Sequence, residues 1–227
     1  MVSNENFFTK ELKTEINNVY FLIPARKGSK GLPFKNRILF NDTISTIPIQ
    51  YYERVFVSTD DEVIKERSLE LGLNVIDRPE KFSNDKASVK DVMLHFIDVG
   101  RVPPESDVIL LYLTYPERTW EDIMKIYGVF REHNGLSLIC ADEVEQHPYL
   151  CFYERENLKG EMIIKHNLYR RQDYPKCFKQ SMFVGCYKVN EIVNVNDLLI
   201  NEKTIYFKLT NKKVDVDTNK DLKKIKR

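Results

Sequence analysis

Short apolar runs alternate with amphipathic helical patterns along the N-terminal part of the chain. The runs at 19–24, 55–58 and 108–111 are unbroken, which is typical of strands buried on both faces of a parallel sheet. Between such runs, the segments 89–97 and 120–130 repeat apolar residues at steps of three and four, as core-facing helices do. This alternation predicts an α/β fold, a Rossmann-like three-layer sandwich around a mostly parallel sheet.

The pattern changes further along the chain. Residues 149–153, 161–165 and 182–189 are aromatic and rich in β-forming residues, without a long helix between them. We interpret the segment 143–190 as an inserted β-hairpin subdomain. Because roughly 150 residues make a typical domain, the 227 residues predict a single domain, 1–227, that carries this insert.

The charge balance, the apolar runs and the cysteine spacing of the chain indicate which kinds of partner and which cell compartment to expect. There are 35 Lys and Arg against 34 Asp and Glu, a net charge of +1, so a nucleic-acid partner is not expected. No apolar run approaches the roughly 20 residues that cross a bilayer, and the N-terminus lacks the apolar core of a signal peptide. The four cysteines have no CxxC spacing. We therefore expect a cytoplasmic protein with reduced thiols and no membrane partner.

A cationic, glycine-containing loop follows the first predicted strand. No acidic residue occurs from Ile16 through Asn41, and Gly28 and Gly31 lie in the loop. Its five cations are Arg26, Lys27, Lys30, Lys35 and Arg37. Open α/β sheets bind ligands at this place, where backbone N–H groups and cations can meet phosphate oxygens. The loop is neither a Walker A nor a GxGxxG motif, and on these residues alone a solvated loop is an equally good interpretation.

Two carboxylates alternate near the C-terminus. Asp215 and Asp217 are two residues apart in a predicted strand, so their side chains share one face. Paired carboxylates suit Mg²⁺, which bridges protein and phosphates. The alternative is an exposed, acidic strand end.

The loop and four further segments resemble one family in order. IPARKGSKGLPFKN resembles the signature loop of the acylneuraminate cytidylyltransferases, the CMP-sialic acid synthetase family. The other matching segments are VFVSTDDEVIKE, DRPEKFSNDKASVKDVMLHFI, RRQDYPKCF and KVDVDTNKDL. The resemblance extends over nearly the whole chain. It implies a nucleotidyltransferase sandwich with a projecting dimerisation hairpin, and hence a homodimer.

The resemblance also implies an activity and its residues. The family joins CTP to the 2-hydroxyl of a nonulosonic acid and releases pyrophosphate. By resemblance, Arg26 and Lys35 hold the triphosphate and stabilise the leaving group, while Asp215 and Asp217 bind Mg²⁺. The implied nucleotide contacts are Ala25, Arg26, Gly28, Ser29, Lys35, Asn36, Arg78 and Ser88. For Ser88, the alternative is a helix N-cap without a ligand contact.

The acceptor side departs from the family pattern. Arg171 matches the arginine that faces the acidic sugar, and Gln172 stands beside it. However, Tyr112 replaces a Gln that faces the sugar, and Tyr115 replaces a small Ser. Leu150 stands where a sugar-binding Lys is expected, and leucine cannot neutralise a carboxylate. CTP is therefore a firmer expectation than any particular acceptor, which we leave open among legionaminic, pseudaminic, Kdo-like and other sugar acids.

A shortened segment is the third departure. The family's helix after the signature loop is compressed into residues 37–53. We expect its loss to loosen the nucleotide site or to expose apolar area. Two alternatives to an active cytidylyltransferase stay open: a nucleotide-binding homologue without catalysis, and a related sugar-nucleotide transferase with a different base or acceptor.

Overall fold

The computed structural model describes residues 16–29, 31–84 and 86–225. Within them, nine strands form a seven-stranded sheet and a separate two-stranded sheet. The strands are β1 (Val19–Pro24), β2 (Val55–Thr59), β3 (Asn74–Asp77), β4 (Asp107–Leu110), β5 (Ser137–Glu143), β6 (Phe152–Arg155), β7 (Lys159–Met162), β8 (Phe178–Lys188) and β9 (Ile205–Lys208). The larger sheet has the order β3-β2-β1-β4-β8-β5-β9, and the smaller sheet pairs β6 with β7.

The larger sheet is mostly parallel, as the sequence predicts. The pairs β1–β2, β1–β4, β2–β3 and β5–β9 are parallel, whereas β8 runs antiparallel to both β4 and β5. The unbroken apolar runs explain this arrangement, because β1 and β4 are buried on both faces. Their carboxyl ends therefore open at one common edge of the sheet.

Six α-helices lie in the described part of the chain. They are α1 (Lys35–Ile44), α2 (Glu62–Glu70), α3 (Glu80–Ser83), α4 (Val89–Val99), α5 (Trp120–Glu132) and α6 (Asn219–Leu222). Capping boxes begin α4, α5 and α6, at Ser88, Thr119 and Thr218. Since α1, α2 and α5 pack on one face of the sheet and α4 on the other, the predicted three-layer sandwich is confirmed.

The expected loss of the helix within residues 37–53 is wrong. Helix α1 is present there, and its Leu39, Phe40 and Ile44 are buried in the core. A 3₁₀ helix at Ile49–Arg54 then leads into β2. Although the segment is short, a ten-residue helix is enough to cover this sheet face. Some apolar area is nevertheless exposed, as expected, because Ile38 and Ile49 are 39% and 79% exposed.

Only part of the predicted insert is separate from the central sheet. Strands β6 and β7 form the expected hairpin, with exposed residues along both strands. Residues 182–189, which the sequence assigns to the insert, instead lie largely in β8, in the middle of the larger sheet. The domain boundaries stay a prediction. No helix in the described residues is long and apolar enough to cross a membrane.

Candidate active site

A cleft of about 490 Å³ lies at the carboxyl ends of β1 and β4. In a sheet of this kind, the edge where parallel strands end is the usual ligand site. Residues predicted for the site come together here from four separate parts of the chain. Those that line the cleft are Arg26, Gly28, Ser29, Lys35, Asn36, Arg78, Tyr112 and Asp217.

The loop after β1 is anchored to the end of β2. The Ala25 N–H donates to the Ser58 carbonyl at 2.9 Å, and the Thr59 hydroxyl donates to the Ala25 carbonyl at 2.6 Å. Gly28 has a φ of 84°, a left-handed conformation that glycine adopts readily. Ala25 is fully buried and does not line the cleft. It therefore fixes the loop, while Gly28 lets the chain turn along the cleft wall.

The N-terminal end of α1 also opens on the cleft. Its N-cap residue, Phe34, provides no side-chain cap for the first turn, and an uncapped helix N-terminus favours an anion. The Asn36 amide donates to the Arg26 carbonyl at 2.9 Å, which ties the helix to the loop. Lys35 is the first residue of the helix, and its side-chain Nζ lies 2.7 Å from Asp217 Oδ1. Helix end, loop and Lys35 thus present positive charge on one side of the cleft.

Arg78 adds a second guanidinium to the wall. It is only 9% exposed, and its Nε donates to the Phe82 carbonyl at 2.9 Å. Burial lowers the pKa of Arg78; Asp60 opposes this, and the positive charge of Arg26 lowers the pKa further. Two cations that repel each other across a concave wall are stabilised by an anion between them.

Arg37, by contrast, is turned away from the cleft. Its Nε binds both carboxylate oxygens of Asp61, at 3.1 and 2.8 Å, and Asp61 also caps α2 through the Val63 and Ile64 N–H groups. Burial raises the pKa of Asp61, but Arg37 and these N–H groups outweigh that effect and hold the pKa below its usual value. Arg37 is therefore a structural member of the cationic loop.

Asp215 and Asp217 lie in an extended segment and not, as the sequence predicts, in a strand. One backbone bond from the Val216 N–H to the Thr114 carbonyl, 2.8 Å, holds this segment, with Val216 fully buried between the two acids. The Tyr115 hydroxyl donates to Asp215 Oδ2 at 3.1 Å. Desolvation raises the pKa of Asp215; a Thr114 hydrogen bond opposes this, and the charge of Asp217 adds to the rise. The two carboxylates are thus close enough to interact.

This carboxylate pair fits a magnesium ion that shares its ligands with phosphates. No group of three or more His, Cys, Asp or Glu suited to a metal occurs among the described residues. Mg²⁺ usually takes one or two protein carboxylates and completes its octahedron with water and substrate phosphates. A two-carboxylate donor set beside a cationic cleft is of that kind.

Five predicted site residues do not line the cleft: Ala25, Ser88, Arg171, Gln172 and Asp215. Ser88 caps α4 through a capping box with Asp91, which is the alternative interpretation, and does not reach the cleft wall. Arg171 and Gln172 are exposed in a 3₁₀ turn after the hairpin. Neighbouring Arg170 pairs with Asp173 at 2.8 Å.

Some residues that line the cleft were not predicted from the sequence. Asn84, Ala87 and Val89 form one wall, beside Thr218 and Thr114. The Asn84 side-chain oxygen accepts from the N–H groups of Lys86 and Ala87, at 2.8 and 3.1 Å, and so folds the wall. An Asx turn ahead of a helix cap is a local signal that could have found it.

The chain is similar in sequence to one protein family and to several of its members. A sequence model of the family described as "Cytidylyltransferase" matches residues 20–100. N-acylneuraminate cytidylyltransferase from Streptococcus agalactiae serotype V is 32% identical over 162 residues, covering 67% of this chain and 39% of that protein. Pseudaminic acid cytidylyltransferase from Campylobacter jejuni subsp. jejuni serotype O:2 is 30% identical over 171 residues, covering 69% and 72%. The chain thus spans well under half the length of the streptococcal relatives.

A solved structure shares the fold over nearly its full length. CMP:2-keto-3-deoxy-manno-octonic acid synthetase complexed with CTP superposes with a TM-score of 0.62 at 16% identity. The match covers 92% of this chain and 96% of that one. At this identity the likeness concerns the fold: a mostly parallel sheet with helices on both faces.

Proposed function

The chain belongs to the cytidylyltransferase family as a divergent relative of N-acylneuraminate and pseudaminic acid cytidylyltransferases, and we propose that it transfers CMP from CTP to a nonulosonic-type sugar acid. The observation that carries the proposal is the cleft itself. Arg26, Lys35 and Arg78 converge on it from the loop after β1, from α1 and from the end of β3, and Asp217 lines the same cleft. Such a cleft suits a triphosphate that reacts at its α-phosphorus.

At phosphorus the reaction forms one bond and breaks one. The acceptor hydroxyl oxygen attacks the α-phosphorus of CTP and releases its proton to solvent, and the bond from that phosphorus to the oxygen that bridges it to the β-phosphorus breaks, so pyrophosphate leaves. Negative charge grows on phosphate oxygens during this step, and positioned cations lower its barrier. We assign this work to Arg26 and Lys35, with Arg78, the N-terminal end of α1 and the backbone at Gly28 and Ser29 holding the nucleotide.

Asp215 and Asp217 would hold Mg²⁺ in this proposal. The ion supplies charge neutralisation for the phosphates and fixes their orientation. Lys35 bridges the two halves of the site, because it contacts Asp217 and projects into the same cleft. The protein's part is to hold the carboxylates in place, Asp215 through the Tyr115 hydroxyl and Asp217 through the Lys35 ammonium.

Tyr112 would meet the acceptor. It lines the cleft next to Arg78, and burial raises the pKa of its phenol, so the hydroxyl stays protonated near neutral pH. A phenol can donate one hydrogen bond to a carboxylate or hydroxyl, as an amide can, but it is longer. We therefore propose a sugar-acid pocket of altered shape, with Arg171 and Gln172 reaching the acceptor only if the turn that carries them approaches the cleft.

The proposal is tested by pyrophosphate release. The wild-type protein is incubated with Mg²⁺, one of CTP, UTP, ATP or GTP, and one of N-acetylneuraminic, legionaminic, pseudaminic or Kdo-type acids. We expect pyrophosphate release with CTP and with no other nucleotide, and with at least one of the acids, since the fold matches cytidylyltransferases. Release with another nucleotide in place of CTP would support the related transferase named above, and contradict ours.

A binding protein without turnover is the second candidate. Tyr112 and Leu150 favour it, because both replace polar groups that contact the acceptor in the family. Calorimetry that detects CTP binding by a folded protein, together with no release for any acid, would support this candidate over an active enzyme.

Removal of magnesium is expected to stop the reaction. Chelation by EDTA should abolish pyrophosphate release, and added Mg²⁺ should restore it. Asp217→Asn is expected to raise the Mg²⁺ concentration for half-maximal rate and to lower the rate about 100-fold or more, because one of few protein ligands is lost. Asp98→Asn, which removes an exposed carboxylate on α4, is the control. Equal magnesium dependence in both variants would remove Asp217 from the metal site.

We also propose that the hairpin β6–β7 and the segment after it pack against a second copy of this chain. Several apolar side chains there are exposed: Phe152, Leu158, Ile163, Leu168 and Tyr169. Leu158 is 99% exposed and has a φ of 58°, a conformation that favours Gly or Asn, so neither burial nor turn geometry explains an apolar residue there.

Light scattering tests this dimer. We expect about twice the chain mass of 26.9 kDa, and Leu158→Glu should weaken the dimer at least about tenfold, because it places a charge in an apolar contact. Ile49→Glu alters an exposed apolar residue (79%) outside the hairpin and is expected to leave the dimer intact. A wild-type protein that stays at monomer mass at all concentrations would refute the proposal.

A further inference from the structure

The largest fully buried side chain in the described residues belongs to an arginine, Arg118. It is 2% exposed, and its guanidinium binds backbone carbonyls rather than a carboxylate. Burial lowers the pKa of Arg118 to about 10, and its Nε has no hydrogen-bond partner among the described atoms. Burying a cation in this way is costly, which indicates a task beyond filling space.

Arg118 closes a fork in the central sheet. Pairing of β4 with β8 ends at Leu110 and Gly185, and the register between β5 and β8 shifts just beyond Ile139. The carbonyls at the fork therefore lack ladder partners. Arg118 Nη1 donates to the Phe183 carbonyl at 2.5 Å, and Nη2 donates to the Tyr112 carbonyl at 2.9 Å. One side chain thus joins β8 to the turn that leaves β4, where the ladder has ended.

The turn held by Arg118, residues 112–115, forms part of the cleft wall and also contacts the segment that carries Asp215 and Asp217. Residues 112–114 line the cleft. The Thr114 carbonyl binds the Val216 N–H, and the Tyr115 hydroxyl binds Asp215. Lys213 adds a second tie, because its Nζ contacts Asp122 at 3.2 Å and lies 4.8 Å from the Phe183 ring centre. Displacement of this turn would move Tyr112 and the 215–217 segment together.

We propose that Arg118 is a positioning residue that holds the 112–115 turn, and through it Tyr112 and the 215–217 segment, in register with the nucleotide loop. The inference rests on the proposed function for its effect on turnover, but its structural content does not. The guanidinium does not line the cleft and acts through two carbonyls. Its two donors point in fixed directions, which a single ammonium cannot reproduce.

Hydrogen exchange tests the proposal without any turnover. In Arg118→Met, we expect exchange in the segments 112–116 and 214–217 to become at least about tenfold faster, since local opening becomes easier. Pro116 has no amide proton, and the main reporter is the Val216 N–H, which binds the Thr114 carbonyl. The loop 24–29 should keep its protection, and Arg118→Lys should restore part of the loss. Arg131→Met is the matched control, because Arg131 binds buried Asp107 at 3.2 Å at the opposite, amino-terminal end of β4. It should leave 112–116 and 214–217 unchanged.

Kinetics gives a second readout. We expect kcat/KM for the acceptor to fall about 30- to 100-fold in Arg118→Met, since small misplacements of reacting groups cost about that much. The affinity for CTP measured without Mg²⁺ should change less than about threefold, because Arg118 does not touch the nucleotide loop. Should Arg118→Met not fold, Arg118→Lys carries the same comparison against wild type.

Three results would overturn the proposal. These are unchanged exchange at 112–116 and 214–217, equal loss of protection in 24–29, and equal loss of CTP affinity and acceptor efficiency. If the wild-type protein shows no turnover, the proposed function fails, while the exchange data still decide whether Arg118 holds the turn.

Discussion

Arg26→Ala is expected to reduce CTP-dependent pyrophosphate release by about 1,000-fold or more. Removing one preorganised contact to developing charge typically costs about 100- to 1,000-fold, and Arg26 also lowers the pKa of Arg78 through its proximity. In the proposed complex, both guanidinium groups therefore face the same anion. The measurement is kcat at saturating CTP and acceptor, with CTP affinity from calorimetry.

The controls separate chemistry from folding. Arg26→Lys keeps the charge but loses the planar fork, so an intermediate rate is expected. Lys125→Ala removes an exposed cation from α5 and should leave the rate unchanged. A folded Arg26→Ala protein with a rate within about threefold of wild type would remove Arg26 from the catalytic group.

Gly31→Ala is expected to lower both stability and activity. A Cβ at this position would lie 2.3 Å from the Asp217 carbonyl oxygen, a backbone atom that cannot rotate away. The loop or the 215–217 segment must move, and overpacking of this kind costs about 1–3 kcal/mol. Since the displaced segment carries both carboxylates, we also expect turnover to fall about 100-fold. Thermal or urea unfolding and pyrophosphate release measure the two effects.

Gly128→Ala is the matched comparison. A Cβ at Gly128, within α5, meets no atom within 4 Å, so the same substitution should stabilise the protein by about 0.5–1 kcal/mol and keep its rate. If Gly31→Ala behaves in the same way as Gly128→Ala, the close approach between the loop and Asp217 does not exist in solution.

Local sequence patterns predict the strands well because their physical causes are local. The run from Val19 to Pro24 is apolar at every position, and only a strand buried on both faces accepts such a run. The capping boxes at Thr119 and Thr218 likewise act over three residues. For the same reason, the cationic loop and its place at the end of β1 follow from the sequence.

Contacts between distant residues could not be predicted in this way. Lys35 and Asp217 are 182 residues apart, and nothing in either segment specifies that they meet. Gly31, whose small size suggests an approach to phosphate, leaves room for the Asp217 backbone. Arg37 counts as one cation of the loop by composition but is bound to Asp61.

The course of β8 is the other long-range feature. From the sequence, the aromatic residues of β8 suggest a projecting hairpin. The strand instead lies between β4 and β5, because antiparallel pairing there buries Phe183 and Tyr187. The fork that this strand creates also explains Arg118, because no local sequence pattern brings together the two carbonyls that it binds, those of Tyr112 and Phe183. Local patterns thus predict the three-layer sandwich and the cationic loop after β1. The placement of the carboxylates and of the proposed acceptor residues depends on tertiary packing.

Phosphorus NMR of the wild-type reaction tests the central claim most directly. The protein is incubated with CTP, Mg²⁺ and each sugar acid, and the products are followed over time. We predict equal amounts of pyrophosphate and a new CMP phosphodiester from at least one acid, and neither product with Arg26→Ala. Unchanged CTP with every acid, or release of inorganic phosphate without a CMP ester, would contradict the assignment of this cleft to cytidylyl transfer.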